Sequence, residues 1–346
     1  MTSSMCEVRA GFMPLVDCAP LVIARELGFA EQEGIELQLV RETSWATIRD
    51  SLAVSHLVVA HILAPMPVAA NLALGPLQTR MLVPMALGTG ANSVTVSREL
   101  WQGLSQYLDV ADFDAVNALR ALGRVVRKRE TQSLPCLSLG VVHPYSAHHY
   151  ELAYWLASAS LIPGVAIDLV VIPPPLMPVA LASGHIDGFC AGEPWGTVAA
   201  TDGNGVILTT NSQIWQNSPE KVLGVREDWA ETHGDGVSRL VRALYRSAEW
   251  CDAIGNQEEL ATILADDRYV GQKTEQIRPC LARRLKTADG ELLPVEGFLN
   301  FASKAATFPW TSHALWFFSQ MVRWGQVSFS QQGVEIARGT YRPDLY

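Results

Sequence analysis

The chain repeats itself. Slid by about 129 residues, Leu52-Ala53-Val54-Ser55-His56-Leu57 falls on Leu181-Ala182-Ser183-Gly184-His185-Ile186, Pro65 falls on Pro194, and Gly11 falls on Gly140. Identity between the copies is low, but the kinds of residue keep their order. Each copy reads strand, helix, strand, helix, strand, which is a pair of parallel βαβ units.

In the first copy, Val8 to Phe12 reads as a short strand, and Asp17-Cys18-Ala19-Pro20 opens a helix that Gly28 closes. Ile35 to Val40 alternates apolar and polar residues and is a half-exposed strand. Ser44 caps a helix carrying Trp45, Ile48 and Leu52, and Leu57 to His61 is a buried strand. The second copy gives the strand Leu137 to Val142, the cap Ser146 and a helix with Tyr150, Leu152, Tyr154, Trp155 and Leu156 that ends near Pro163-Gly164. The strand Ile167 to Ile172 follows. Pro173-Pro174-Pro175 forces an extended turn before the helix Met177 to Ser183 and the strand Asp187 to Ala191.

Two such units build two related α/β lobes around a ligand cleft. The carboxyl ends of parallel strands and the first turns of the helices after them face that cleft. The stretch beyond residue 215 is mostly helical by pattern and is assigned back to the first lobe. Residues 1–95 and 215–346 are then a discontinuous first lobe, and 96–214 an inserted second lobe. The crossings are expected near Asn92 to Ser97 and Val206 to Gln213.

Composition narrows the ligand. With 346 residues, 49% hydrophobic, there is material for two ordinary lobes. A net charge of −9 repels polyphosphate backbones, so nucleic acid is excluded as a direct ligand. No apolar run approaches the roughly 20 residues that cross a bilayer. Met1 to Ala10 carries no leader pattern, which sets the expectation of a cytoplasmic protein. Cys6, Cys18, Cys136, Cys190, Cys251 and Cys280 lack metal-type spacing and read as reduced, buried thiols. Neither a metal nor a cofactor is expected.

A small anion needs several donors, one cation and a dry wall, and free amides at helix starts supply donors with partial positive charge. The helix openings at Trp45 and His148 point such amides at the cleft. His148, two residues past its cap, reaches the same space, whereas His149 is turned away. Lys221 stands where the chain returns to the first lobe and can bring a compact cation. Glu193, in Gly192-Glu193-Pro194-Trp195, opposes an anion unless it pairs, so it is read as lobe-bridging or lysine-positioning. The basic run Arg120 to Arg129 is a solvated helix face or a dock for an acidic partner.

From Gly11 to Gly325 the sequence resembles the NrtA/NasS family of nitrate- and nitrite-binding proteins. The resemblance rests on Val16-Asp17-Cys18-Ala19-Pro20, Ser44 to Asp50, Val171-Ile172-Pro173-Pro174-Pro175, Phe189 to Trp195, Pro219-Glu220-Lys221, Ser312 to Phe317 and Arg323-Trp324-Gly325. It implies a periplasmic-binding-protein type II architecture and a pocket formed by Trp45, Asn92, His148 and Lys221, with Pro174 and Gly90 as wall and backbone. Asn92 departs from the glutamine common in the family, which shortens the reach at that position.

Within that family this chain is most similar to the NasS-type cytoplasmic sensor. The resemblance then implies an ANTAR-domain antiterminator of NasT type as partner, released when nitrate or nitrite binds, with RNA contact left to the partner. The alternative is the substrate-binding component of an ABC transporter for nitrate, bicarbonate or an alkanesulfonate. An enzyme of pyrimidine-precursor synthesis shares the fold, but the sequence carries no P-loop, nucleophile elbow or clustered cysteine motif.

Overall fold

The computed structural model describes residues 5–75, 79–108 and 112–346. Two five-stranded sheets dominate it. In the first, strand Cys6–Phe12 pairs in parallel with Ile35–Arg41 on one side and Val59–Leu63 on the other; Lys221–Arg226 and Met81–Ala86 complete it antiparallel. In the second, Leu137–Val141 pairs in parallel with Ile167–Val171 and Gly188–Gly192, and Asn92–Ser97 and Gly205–Thr210 complete it antiparallel.

The repeat is kept at the level of register. Ala10 faces Val59 in the first sheet, and Leu139 faces Gly188 in the second, each pair displaced by the same step. The paired glycines have one reason. A Cβ on Gly11 would stand 2.4 Å from Leu57, and one on Gly140 would stand 3.1 Å from Ile186, Leu57's counterpart. Both strands need a bare position where the following buried residue crosses them.

The repeat also extends further than the sequence reading followed it. Carrying the step past Pro65 and Pro194 places Asn92–Ser97 on Lys221–Arg226, and these are the strands the halves exchange. Lys221 opens opposite Leu63 of the first half, and Asn92 opens opposite Gly192 of the second. Strand Asn92–Ser97 therefore lies wholly in the second sheet, and so does Gly205–Thr210, instead of serving as crossings. The chain passes between sheets just before Asn92 and just before Lys221, where Gly90 N–H donates to the Ser218 carbonyl at 3.0 Å and Thr89 bridges Pro219.

The two sheets are closed on one another. One core joins Met13, Trp45 and Leu63 to Tyr150, Phe189 and Trp195 across the cleft. Another joins Phe12 and Val16 to Ala200, Ile207 and the C-terminal residues Cys280 and Phe298. The C-terminal helices thus brace both lobes. The basic run lies on helix Ala115–Thr131, which buries Ala118, Leu119, Leu122 and Val126 and turns its charges outward, as its helical spacing dictates. Of the thiols, Cys18, Cys190, Cys251 and Cys280 are buried; Cys136 is exposed and Cys6 partly so, which corrects the expectation for those two.

Candidate functional site

The site begins at two helix caps. Ser44 Oγ accepts from Thr47 N–H at 3.1 Å, in a capping box, and Ser146 Oγ accepts from His149 N–H at 3.2 Å. Each cap fixes the entry angle of its helix, so Trp45 and His148 are set at the ends of their sheets and aimed into the cleft. Both are 1% exposed.

Lys221, also 1% exposed, enters from the first sheet. Its Nζ donates to Asp17 Oδ2 and to Glu220 Oε1, each at 2.9 Å, and lies 5.6 Å from the Trp45 ring centre. Glu220 Oε1 also bonds His148 Nδ1 at 2.6 Å, and Asp17 Oδ1 bonds His61 Nε2 at 3.0 Å. The result is a continuous buried line: His61, Asp17, Lys221, Glu220, His148. It joins the two lobes through charge-assisted hydrogen bonds.

The electrostatics follow from burial and pairing. Desolvation alone would raise Asp17, but Lys221 and His61 hold its carboxyl well below the usual range. Glu220 is likewise pushed up by burial and brought below its ordinary value by Lys221 and His148. Burial works against the Lys221 ammonium, and Asp17 and Glu220 overcome it, so the cation is retained. Glu151, one turn beyond His148, is raised well above the carboxylate range by burial and then by the Glu220 charge, with Asn211 Nδ2 donating to its Oε2. Burial thus favours the neutral acid form of Glu151.

Three donors in this region, Trp45 Nε1, Asn92 Nδ2 and Trp195 Nε1, have no hydrogen-bond partner among the described residues, and neither has His148 Nε2, whose role depends on the tautomer. An unpaired buried donor costs on the order of 1–3 kcal/mol, so several of them mark a place built for something else to accept. Asn92 is wholly buried and has neither side-chain atom paired. Its Oδ1 lies 3.4 Å from the position a Cβ on Gly192 would take.

The remaining expected residues divide. Pro174 is buried and opens the turn after strand Ile167–Val171, the place in the second half that Trp45 holds in the first. Gly90 has φ +78°, and a Cβ there would meet the Phe298 carbonyl at 2.1 Å, so a glycine is required. Its amide is spent on Ser218, which leaves no donor there. Glu193 joins the lobes through its backbone carbonyl, which accepts from Val16 N–H at 2.9 Å. Its carboxylate accepts from Ser93 Oγ at 2.5 Å, Thr197 N–H at 2.9 Å and Cys280 Sγ at 3.4 Å. Lysine positioning thus falls to Asp17 and Glu220 instead, because they lie on Lys221's own side of the cleft.

Asp17, His61, Glu220 and Glu151 were not singled out from the sequence. Asp17 and Glu220 both stood in segments that carry the family resemblance, but Asp17 was read there as part of a helix start and Glu220 as the neighbour of Lys221, neither as a site residue. Carboxylates beside an anion site run against simple charge matching, and they become intelligible only once the buried lysine is seen. A cavity of about 210 Å³ lined by Thr89, Asn217, Glu220, Lys221, Trp310 and His313 adjoins this cluster on the side of the crossing segments. Among the described residues, no group of three or more His, Cys, Asp or Glu side chains could hold a metal ion.

The same architecture is found in known proteins. The chain superposes on the crystal structure of the periplasmic nitrate-binding protein NrtA from Synechocystis with a TM-score of 0.89 at 26% identity, covering 99% of this chain and 87% of that one. It is 37% identical over 341 residues to the nitrate import ATP-binding protein NrtC of Synechocystis, covering 97% of this chain and 48% of the relative. It is 35% identical to the bicarbonate transport ATP-binding protein CmpC of Synechococcus elongatus, covering 98% and 48%. The chain thus spans about half the length of these two relatives. The nitrate/nitrite binding protein NrtA of Synechococcus elongatus is 31% identical, with 98% of this chain and 76% of the relative covered. The profile of the NMT1-like family matches residues 3–265. With that match, and with the NrtA relative aligned along 98% of this chain and 76% of its own length, this two-lobed chain of the periplasmic-binding-protein type II fold belongs to the NMT1-like family and to the NrtA/NasS group.

Proposed function

We propose that this chain is the anion-capturing module of nitrate or nitrite uptake, the substrate-binding part of an ABC transporter. The observation that carries the reading is the set of buried, unpartnered nitrogens, Trp45 Nε1, Asn92 Nδ2 and His148 Nε2, together with the buried ammonium of Lys221, which lies 5.6 Å from the Trp45 ring and is joined to His148 through Glu220. Nitrate offers three weakly basic oxygens and no hydrogen to donate, which suits the unpaired N–H groups of Trp45 and Asn92. Pro174 and Gly90 complete the wall and Glu193 bridges the lobes. The carboxylates of Asp17 and Glu220 temper the lysine, so a monovalent ion is admitted and a doubly charged one such as sulfate is repelled. Relatives named for nitrate import support the reading, and one named for bicarbonate transport makes bicarbonate the competing ligand.

The binding event is capture by closure. The chain binds no substrate for chemistry, so it acts by differential affinity: the ligand favours the closed arrangement of the sheets, and a partner reads that shift. The second reading is a cytoplasmic nitrate or nitrite sensor that releases an ANTAR-domain antiterminator when the ligand closes it. Six unpaired cysteines favour a reducing compartment and support it. Nitrate-dependent dissociation of such a partner in size-exclusion chromatography would favour the sensor over the transporter.

Thermal denaturation with nitrate, nitrite, bicarbonate and sulfate tests the ligand. A ligand that binds only the folded state stabilises by about 2.7 kcal/mol at a hundredfold excess over Kd. Nitrate or nitrite should raise Tm and sulfate should not. A rise with bicarbonate alone would contradict the assignment.

A further inference from the structure

The bond between His148 and Glu220 fixes what the other face of the imidazole can do. A nitrogen and a carboxylate oxygen 2.6 Å apart are held by a proton between them, since two lone pairs at that distance repel. If the couple carries only that proton, Nδ1–H donates to Glu220 and Nε2 presents a lone pair. Nε2 then accepts and cannot donate. To present Nε2–H the couple needs a second proton, either as imidazolium with Glu220 ionised or as neutral His148 accepting from a protonated Glu220.

The buried surroundings of the couple are already net negative. Asp17 and Glu220 carry two negative charges against the single positive charge of Lys221, all at most 4% exposed. The other titratable groups around His148 are Glu151 and His149 on its own helix, His143 ahead of it with Arg49 beyond, and His61 behind Asp17. Burial shifts Glu151, His143, His149 and His61 toward their neutral forms, and the Arg49 cation is paired with Asp50, so the cluster gains no buried balancing cation from them. Any monovalent anion adds a second negative charge to this buried cluster, so what separates ligands is the hydrogen bond at Nε2: an anion without an O–H meets a lone pair there until a second proton arrives, whereas one with an O–H can donate to it.

Resting on the ligand site proposed above, we infer that His148 is a proton-linked specificity residue. An anion with no O–H, such as nitrate, binds together with a proton taken from solvent by the Glu220–His148 couple. Bicarbonate, which carries an O–H, donates it to the bare Nε2 and binds without proton uptake. Rising pH therefore trades affinity for nitrate against affinity for bicarbonate in one unchanged pocket.

Titration calorimetry in buffers of different ionisation enthalpy, between roughly pH 6 and 9, reads the proton count directly. Nitrate should take up about one proton on the alkaline side and lose about tenfold in affinity per pH unit there, while bicarbonate takes up none. Nitrate binding with no proton uptake and a flat pH dependence would overturn the inference and leave the site intact. No heat with nitrate or nitrite would overturn the site and the inference with it. In Glu220→Gln or His148→Gln, an amide N–H supplies the donor, so whichever variant folds should bind nitrate, at whatever affinity, without proton uptake. Persistent uptake in it would also overturn the inference.

Discussion

Lys221 and Asn92 hold the same place in the two halves of the chain, each the first residue of the strand that the halves exchange, Lys221 opposite Leu63 and Asn92 opposite Gly192. They have been put to different uses. Lys221 is held by two carboxylates, Asp17 and Glu220, each at 2.9 Å, with its third N–H left over. Asn92 is wholly buried with both side-chain atoms unpaired. The repeat thus supplies a paired cation in one half and an unpaired amide at the equivalent position of the other, and that asymmetry gives the site its direction.

Lys221→Ala should abolish the rise in Tm with nitrate or nitrite. It should also destabilise the unliganded protein by about 3–5 kcal/mol, because Asp17 and Glu220 are left buried without their cation. Chemical denaturation with and without nitrate measures both. A variant as stable as the parent would show that the lysine is not the hub of this network.

Asn92→Leu tests the opposite case. The leucine is close in size and removes two unpaired polar atoms, so the free protein should gain about 1–3 kcal/mol while ligand-induced stabilisation is lost. Equal nitrate binding in the leucine variant would remove Asn92 from the site.

Much of this was legible before any coordinates. The repeat gave two βαβ units, and Ser44 and Ser146 announced the helix starts that aim Trp45 and His148. What was not legible has physical causes. The strand exchange was hidden because Asn92–Ser97 and Lys221–Arg226 share only apolar character, as in Val96 and Val225, and a buried strand offers little else to align. Asp17 and Glu220 were invisible as site residues because a carboxylate near an anion is unfavourable until its lysine is placed. Glu193 was read by proximity in sequence to the cleft, but its carboxylate turns toward Ser93, Thr197 and Cys280.

The histidines set the acid limit of stability. Burial pushes His143, His149 and His313 down to about 4 from an ordinary 6.5. The unfolded chain takes up protons at these positions below about pH 6.5, and the folded chain does so only near 4, so their contribution is complete above 6.5 and is lost as the pH falls towards 4. Asp17, held lower still, adds its loss only at more acidic pH. Tm should fall steadily from about pH 6.5 to 4.5, and His313→Asn should make the fall shallower. The raised carboxyls of Glu151 and Glu193 act in the opposite sense, so the decisive comparison is between parent and variant: an unchanged slope in His313→Asn would contradict the placement of that ring.

Two helical glycines should respond with opposite signs. Alanine is usually favoured over glycine inside a helix by about 0.5–1 kcal/mol. At Gly196, in helix Trp195–Thr201, a Cβ would stand 2.2 Å from Ser93 Oγ and 2.6 Å from Glu193 Oε1, so Gly196→Ala should destabilise by about 1–3 kcal/mol. At Gly339, in helix Gln331–Thr340, nothing lies within 4 Å, and Gly339→Ala should stabilise. Urea denaturation of the pair gives the signs. A stabilised Gly196→Ala would mean that the bridge at Glu193 is looser than described.

The most direct test is a crystal structure of the chain grown with nitrate. One ion should lie between the sheets, its oxygens within hydrogen-bonding distance of Trp45 Nε1, Asn92 Nδ2 and His148 Nε2, with Lys221 still held by Asp17 and Glu220. Nitrate bound elsewhere, or density between the sheets that leaves those three nitrogens unpaired, would contradict the account.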